Sequence, residues 1–125
     1  MNEVIFIRRN SIQKAQKLVE NAPAEANFYG PHHYLQWDGR ILKTLVEDAW
    51  RATATYGGNQ RFVDDCCVSL KELEKVLGSI ERIKESGGIQ NAKDRLKMNA
   101  VLRWINPEIE QLKEDVDFWD AIHEQ

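Results

Sequence analysis

The chain has too few cysteines to be held together by cross-links. Its two, Cys66 and Cys67, are adjacent, which excludes a disulfide joining distant segments and suits a reducing compartment. No apolar run approaches the length of a membrane span, and the short apolar start Val4–Ile7 lacks the h-region and cleavage site of a secretory signal. The expectation is a cytoplasmic protein with no membrane partner. Only 3 prolines and 7 glycines, beside 42% hydrophobic and 30% charged residues, exclude collagen-like, low-complexity and wholly disordered chains. Motifs of catalysis are missing too: there is no G-x-S-x-G, no glycine-rich phosphate loop and no H-E-x-x-H. His32, His33 and His123, with adjacent rather than spaced cysteines, match no zinc pattern. No metal and no cofactor are expected, and the chain reads as a binding protein more than as an enzyme.

What is present is one domain's worth of chain. The 125 residues suffice for a single core without metals or disulfides. Glu3–Ile7 has the β-branched density of a buried strand. Asn10 with Gln13 offers a capping box, after which Ile12, Ala15, Leu18, Val19 and Ala22 recur at helical spacing up to Pro23. Asn27–Tyr29 and His33–Trp37, parted by Gly30-Pro31, read as two short strands. Asp38-Gly39 suits a hairpin or a helix start; the spacing of Ile41, Leu42, Leu45, Val46, Ala49 and Trp50 predicts a helix over 39–55. Val63, Cys66, Leu70, Leu73, Leu77 and Ile80 then form a stripe from Asn59 to Ser86. As one rod of roughly 28 residues it would be about 42 Å long, and would have to kink at Gly78, protrude or pack along a second chain. A helix from Asn91 becomes apolar nearly all round toward its end, through Val101, Leu102, Trp104 and Ile105, and that end should be central to the core. Asn106-Pro107 starts a last helix with Ile109, Leu112, Val116, Trp119 and Ile122 as its buried stripe. The expected fold is α+β, mostly α: a small N-terminal β-α-β-β sheet with its helix (1–38), then a bundle of about four helices including one long one (39–125), as a single domain 1–125.

Charge is unevenly placed. From Glu108 to Gln125 seven acids face one lysine, a net −6 in a chain of −3, so the remaining 107 residues carry +3. Such a run is often only a solvated face. Asp120 and Glu124 stand at the negative end of their helix, so a basic group should compensate them. Glu110, Glu114, Asp117 and Asp120 are the candidate partner-binding residues, opposed to an arginine- and lysine-rich surface on another protein. Secondary binding candidates are His33, Tyr34, Trp37, Arg8 and Arg9, where an aromatic segment and a basic group could hold a small nucleotide; the competing reading is an edge hairpin with one aromatic face on the core. Lys93, Arg95, Lys97 and Arg103 spread around their helix and make no phosphate-tracking stripe, so nonspecific nucleic-acid binding is not expected. Glu81 and Glu85, Glu110 and Glu114, and the E-x-x-D of Glu114 and Asp117 are the one enzymatic lead, toward a magnesium-dependent all-helical nucleotide pyrophosphohydrolase. That family's adjacent glutamate pair followed one turn on by a third is not reproduced. Cys66, inside the stripe, reads as a buried structural thiol, with Cys67 somewhat more exposed.

Leu18-Val-Glu-Asn-Ala-Pro-Ala-Glu-Ala-Asn-Phe-Tyr29, followed by Tyr34-Leu-Gln-Trp-Asp-Gly39, resembles a segment of small uncharacterised accessory proteins of tailed phages and prophages. The resemblance covers about residues 18–42 and carries over no catalytic residue. It implies an accessory protein acting in a bacterial host cell, in a class often similar in size to inhibitors of host defence. Together these features lead to a non-enzymatic protein, oligomeric through its long helix, that binds and inhibits a host protein through the acidic helix. The alternatives are the pyrophosphohydrolase and a nucleotide-sequestering protein.

Overall fold

The computed structural model describes residues 2–55, 57–102 and 106–123. The chain forms two compact units, Met1–Glu74 and Lys75–Gln125. The first begins with two helices, α1 (Glu3–Asn10) and α2 (Ile12–Glu20). A strand was expected over Glu3–Ile7, and the structure corrects it. The Asn2 side chain accepts the Val4 N–H at 2.7 Å, Glu3 sits in the first turn and Arg8 and Arg9 in the last, so cap and dipole both favour a helix over the β-branched preference. Only one side of that helix, Phe6 and Ile7, is buried, while Ile5 remains 43% exposed. Ser11, rather than Asn10, then caps α2 by accepting the Lys14 N–H.

The sheet follows: β1 (Phe28–Tyr29), β2 (Tyr34–Trp37), β3 (Leu42–Val46), β4 (Ala49–Thr53) and, after α3 (Asn59–Cys66), β5 (Val68–Ser69). Its order is β4-β3-β2-β1-β5 and every pairing is antiparallel. The expected β-α-β-β crossover is therefore absent. The helix expected over 39–55 is also replaced, by the β3–β4 hairpin. Asp38 Oδ1 accepts the N–H groups of Arg40 and Ile41, both at 2.8 Å, and turns the chain into β3. Those same bonds hold the Asp38 carboxyl below its ordinary pKa. Glu47 and Asp48 both take positive φ, 50° and 65°, as a two-residue hairpin turn requires. The helical spacing of Leu42, Leu45 and Val46 instead distributes them over the two faces of the strand.

Pairing register sets the two faces of the sheet. Phe28, Leu35, Trp37 and Leu42 share one face and pack against Phe62 and Val63 of α3 and against Cys67. Tyr29 and Tyr34 share the other, with the Phe6 ring edge-on to Tyr29 at 6.3 Å and Tyr29 edge-on to Tyr34 at 5.2 Å. Gly30 joins β1 to β2 at φ +142°, and a Cβ there would stand 2.5 Å from the Cys66 carbonyl oxygen, so only glycine fits.

The expected rod from Asn59 to Ser86 is broken, at Cys67–Ser69 and not at Gly78. Cys67 is extended (φ −116°, ψ 155°), Val68–Ser69 joins the sheet beside β1, and α4 (Leu70–Glu85) starts afresh. Ser69 Oγ accepts the Glu72 N–H at 3.3 Å, a cap with the S-x-x-E spacing of a capping box. Without the rod, its length no longer argues for a second chain. This cap gives a sign-sensitive test. Ser69→Ala should cost about 1 kcal/mol in chemical denaturation, as cap loss does, whereas inside a continuous helix alanine would be neutral or stabilising.

The unit boundary falls within α4. In the second unit α5 (Ile89–Leu102) and α6 (Pro107–His123) complete the chain, α6 beginning as expected with Asn106 Oδ1 accepting the Ile109 N–H at 2.9 Å. Ile83, Ala92, Leu112 and Val116 form its core, with Ile89, Leu96 and Trp119 packed on them. Near the end of α5, Met98 and Val101 are 66% and 80% exposed, so Val101 does not join the core as expected. Trp104 and Ile105 lie outside the described residues. The architecture is thus α+β and mostly helical, with an antiparallel sheet whose strands fall between α2 and α4 in chain order, and no described helix is long and apolar enough to cross a membrane.

Candidate functional site

The buried side of α6 is Leu112, Asp115 and Val116. At 3.6 residues per turn, Glu110, Glu114 and Asp117 recur on the opposite side as one outward stripe, with Asp120 on its flank. Glu110 and Asp117 are exposed. Glu114 Oε1 lies 3.4 Å from Lys75 Nζ of α4, and Asp120 Oδ1 lies 3.0 Å from Lys93 Nζ of α5. Lys93 is thus the basic group that the acid at the C-terminal end of α6 called for; Glu124 lies outside the described residues. Both pairs stay open to water, with Glu114 40% and Asp120 51% exposed. Exposed pairs of this kind contribute about 0.2–1 kcal/mol, so a partner's arginine or lysine can displace them at small cost.

One acid on α6 is different in kind. Asp115 is 3% exposed and receives Arg82 Nε at 2.9 Å and Nη2 at 2.8 Å, a two-pronged bond completed by Gln111 Nε2 at 2.9 Å. Burial raises the Asp115 pKa, but hydrogen bonds from Arg82, Ser79 and Gln111 and the Arg82 charge outweigh it and hold the carboxyl below its ordinary value. The Arg82 guanidinium is held above its own by the same bond. This clamp ties α4 to α6, and nothing in the spacing of either helix announces it. Among the described residues, no group of three or more His, Cys, Asp or Glu is placed to hold a metal ion. Glu81 and Glu85 are exposed on α4.

The secondary candidates do not converge. Tyr34 and Trp37 point to opposite faces of β2. The Tyr34 hydroxyl donates to the Leu18 carbonyl, and burial, then Tyr29, raises its pKa. Trp37 packs on the Leu35–Leu42–Val63 cluster and donates Nε1–H to Gln60 Oε1 at 3.2 Å. The aromatic segment is thus mainly a core-facing hairpin, and His33 is exposed beside it. Arg8 and Arg9 are exposed on α1; Arg9 faces a cleft with Lys14, Tyr29 and His32, while Tyr34 is not part of its lining. Of the cations on α5, Lys93 is paired, Arg95 and Lys97 are exposed, and Arg103 lies outside the described residues. The cysteines reverse their expected places: Cys66 is exposed, and Cys67 is buried with its thiol pushed up to about 11 by burial and by Cys66. The break after α3 causes this, since it takes Cys67 off the helix and turns it toward the Gly30 carbonyl at 3.7 Å. The cleft at Arg9 was not foreseen, because its walls come from residues up to 60 positions apart. No protein-family model, curated protein or solved structure matches the chain.

Proposed function

We propose that the protein is a non-enzymatic accessory protein of the tailed-phage type that binds a basic surface on a host protein through α6 and blocks it. The observation that carries this reading is the outward stripe of Glu110, Glu114 and Asp117, flanked by Asp120. Of these four carboxylates, Glu114 and Asp120 are loosely held by lysines from the neighbouring helices. Those lysines orient the carboxylates without burying them, and complementary charge speeds encounter and fixes orientation. A surface of arginines and lysines that otherwise contacts nucleic acid is the fitting target, and its occlusion is the mechanism. The resemblance over residues 18–42 supports the host setting; it supplies no site residue.

The test is the variant Glu110→Lys, Glu114→Lys, Asp117→Lys. Glu110 and Asp117 are exposed and Glu114 makes one exposed ion pair with Lys75, so the fold should survive with a small loss of stability, as circular dichroism and a cooperative denaturation curve would show. Binding to the host protein captured by the wild type should weaken at least a hundredfold, since like charges set against each other cost several kcal/mol. Wild-type binding should also fall as salt rises. Unchanged affinity and unchanged salt dependence in the folded variant would reduce the stripe to a solvated face.

A further inference from the structure

A second site lies in the first unit and does not involve α6. Where the end of α1, the start of α2, the β1–β2 loop and the end of α3 meet, a cleft of about 190 Å³ opens. Phe6, Tyr29 and Pro31 supply its apolar wall, and Arg9, Lys14 and His32 supply three basic side chains from three different elements. No carboxylate is among the described residues that line it. Among the described residues, Arg9 has no ion-pair partner and Lys14 Nζ meets only the neutral Asn10 Oδ1, at 3.2 Å.

The helix ends make this concentration of charge sharper. The first turn of α2 contains no acid, yet it carries Lys14, a cation at the positive end of a helix dipole, where it is mildly unfavourable. Arg9 suits the last turn of α1 but adds to the same field. An anion in the cleft would relieve both. A guanidinium, an ammonium and an imidazole lining one cleft suit a phosphoryl group better than a single carboxylate, because a phosphoryl group offers three oxygens to several N–H donors. The volume is below the roughly 300 Å³ at which sites for drug-sized ligands begin. That limits the body attached to the phosphate to about one ring.

We infer that this cleft binds a small phosphate monoester, its phosphoryl group held by Arg9, Lys14 and His32 and its organic body laid against Phe6 and Tyr29.

Cys66, exposed at the cleft wall, provides the readout, while Cys67 is buried and should stay silent. The full chain is alkylated with iodoacetamide at constant ionic strength, with and without inorganic phosphate or phenyl phosphate, and modification at Cys66 is followed by mass spectrometry. Phenyl phosphate should slow Cys66 alkylation saturably, and at concentrations about tenfold lower than inorganic phosphate requires. Arg9→Gln and Lys14→Gln should each weaken that protection about tenfold, the effect of losing one charge-assisted hydrogen bond. Lys43→Gln, an exposed position outside the cleft, should leave it unchanged. Both lining residues are exposed, so the variants should fold, and their thermal melts verify it. No protection by phenyl phosphate up to about 10 mM, tenfold above a millimolar dissociation constant, would overturn the assignment. So would equal protection by the two probes, or protection retained in both Arg9→Gln and Lys14→Gln. None of these results bears on α6, so the two proposals stand or fall separately.

Discussion

Arg82→Ala is expected to destabilise the protein by about 3 kcal/mol, the low end of the cost of removing one partner of a buried pair, because only the Asp115 end of this pair is buried. The loss falls on Asp115, whose side chain is 3% exposed and would be left with Gln111 and Ser79 as its remaining polar neighbours. Deleting the other partner should cost less. Arg82 is 47% exposed and can return to water, so Asp115→Asn should cost only about 1–3 kcal/mol. The asymmetry distinguishes a buried acid held by a cation from an ordinary surface pair. Its pH dependence has a definite sign. The folded pKa of Asp115 lies below its unfolded value of about 3.9. In acid, therefore, the unfolded chain binds the extra proton. The contribution is present in full above that unfolded value and is lost as pH falls through the folded one. Urea denaturation of wild type and Arg82→Ala at pH 7 and pH 3 checks both points: the gap between the two proteins should narrow on the acid side.

The second large effect belongs to Leu73. It is fully buried in the first turns of α4, and Leu73→Ala should cost about 2–5 kcal/mol, the transfer free energy of the deleted atoms plus the cavity they leave. Leu77, 8% exposed, should sit toward the low end of that range. A shift in the denaturation midpoint equivalent to well under 1 kcal/mol at Leu73, with the slope unchanged, would mean that α4 does not present this side to a core.

Much of the second unit was legible because local chemistry and global packing agree there. Asn106-Pro107 caps and opens α6, and the Leu112–Val116 spacing names its buried side. In the first unit they disagree. The apolar residues of 41–50 fit a helix and a two-faced hairpin equally well, and the matter is settled by the Asp38 side chain and by two positive-φ residues, Glu47 and Asp48, that carry no glycine to advertise the turn. The rod over 59–86 looked continuous because Cys66 and Leu70 are one helical turn apart in register, although Ser69-Leu-Lys-Glu72 already carried a helix-start signal. At the candidate site, the outward position of Glu110, Glu114 and Asp117 followed from periodicity alone. Their lysine partners, the Arg82–Asp115 clamp and the meeting of Arg9, Lys14 and His32 along one cleft are products of tertiary packing, which no spacing within one helix encodes.

The central claim is that α6 touches a host protein, and photo-crosslinking tests it most directly. A photoreactive amino acid is placed at position 117 of the otherwise unaltered chain, and in a separate protein at exposed position 43, and each is irradiated in a bacterial extract. The account predicts an adduct with a basic protein from position 117 only. That adduct should disappear when Glu110→Lys and Glu114→Lys are added, and should diminish at about 0.5 M salt, where the screening length is well below its value of about 8 Å at physiological ionic strength. No adduct from position 117, or the same adduct from positions 117 and 43, would contradict it.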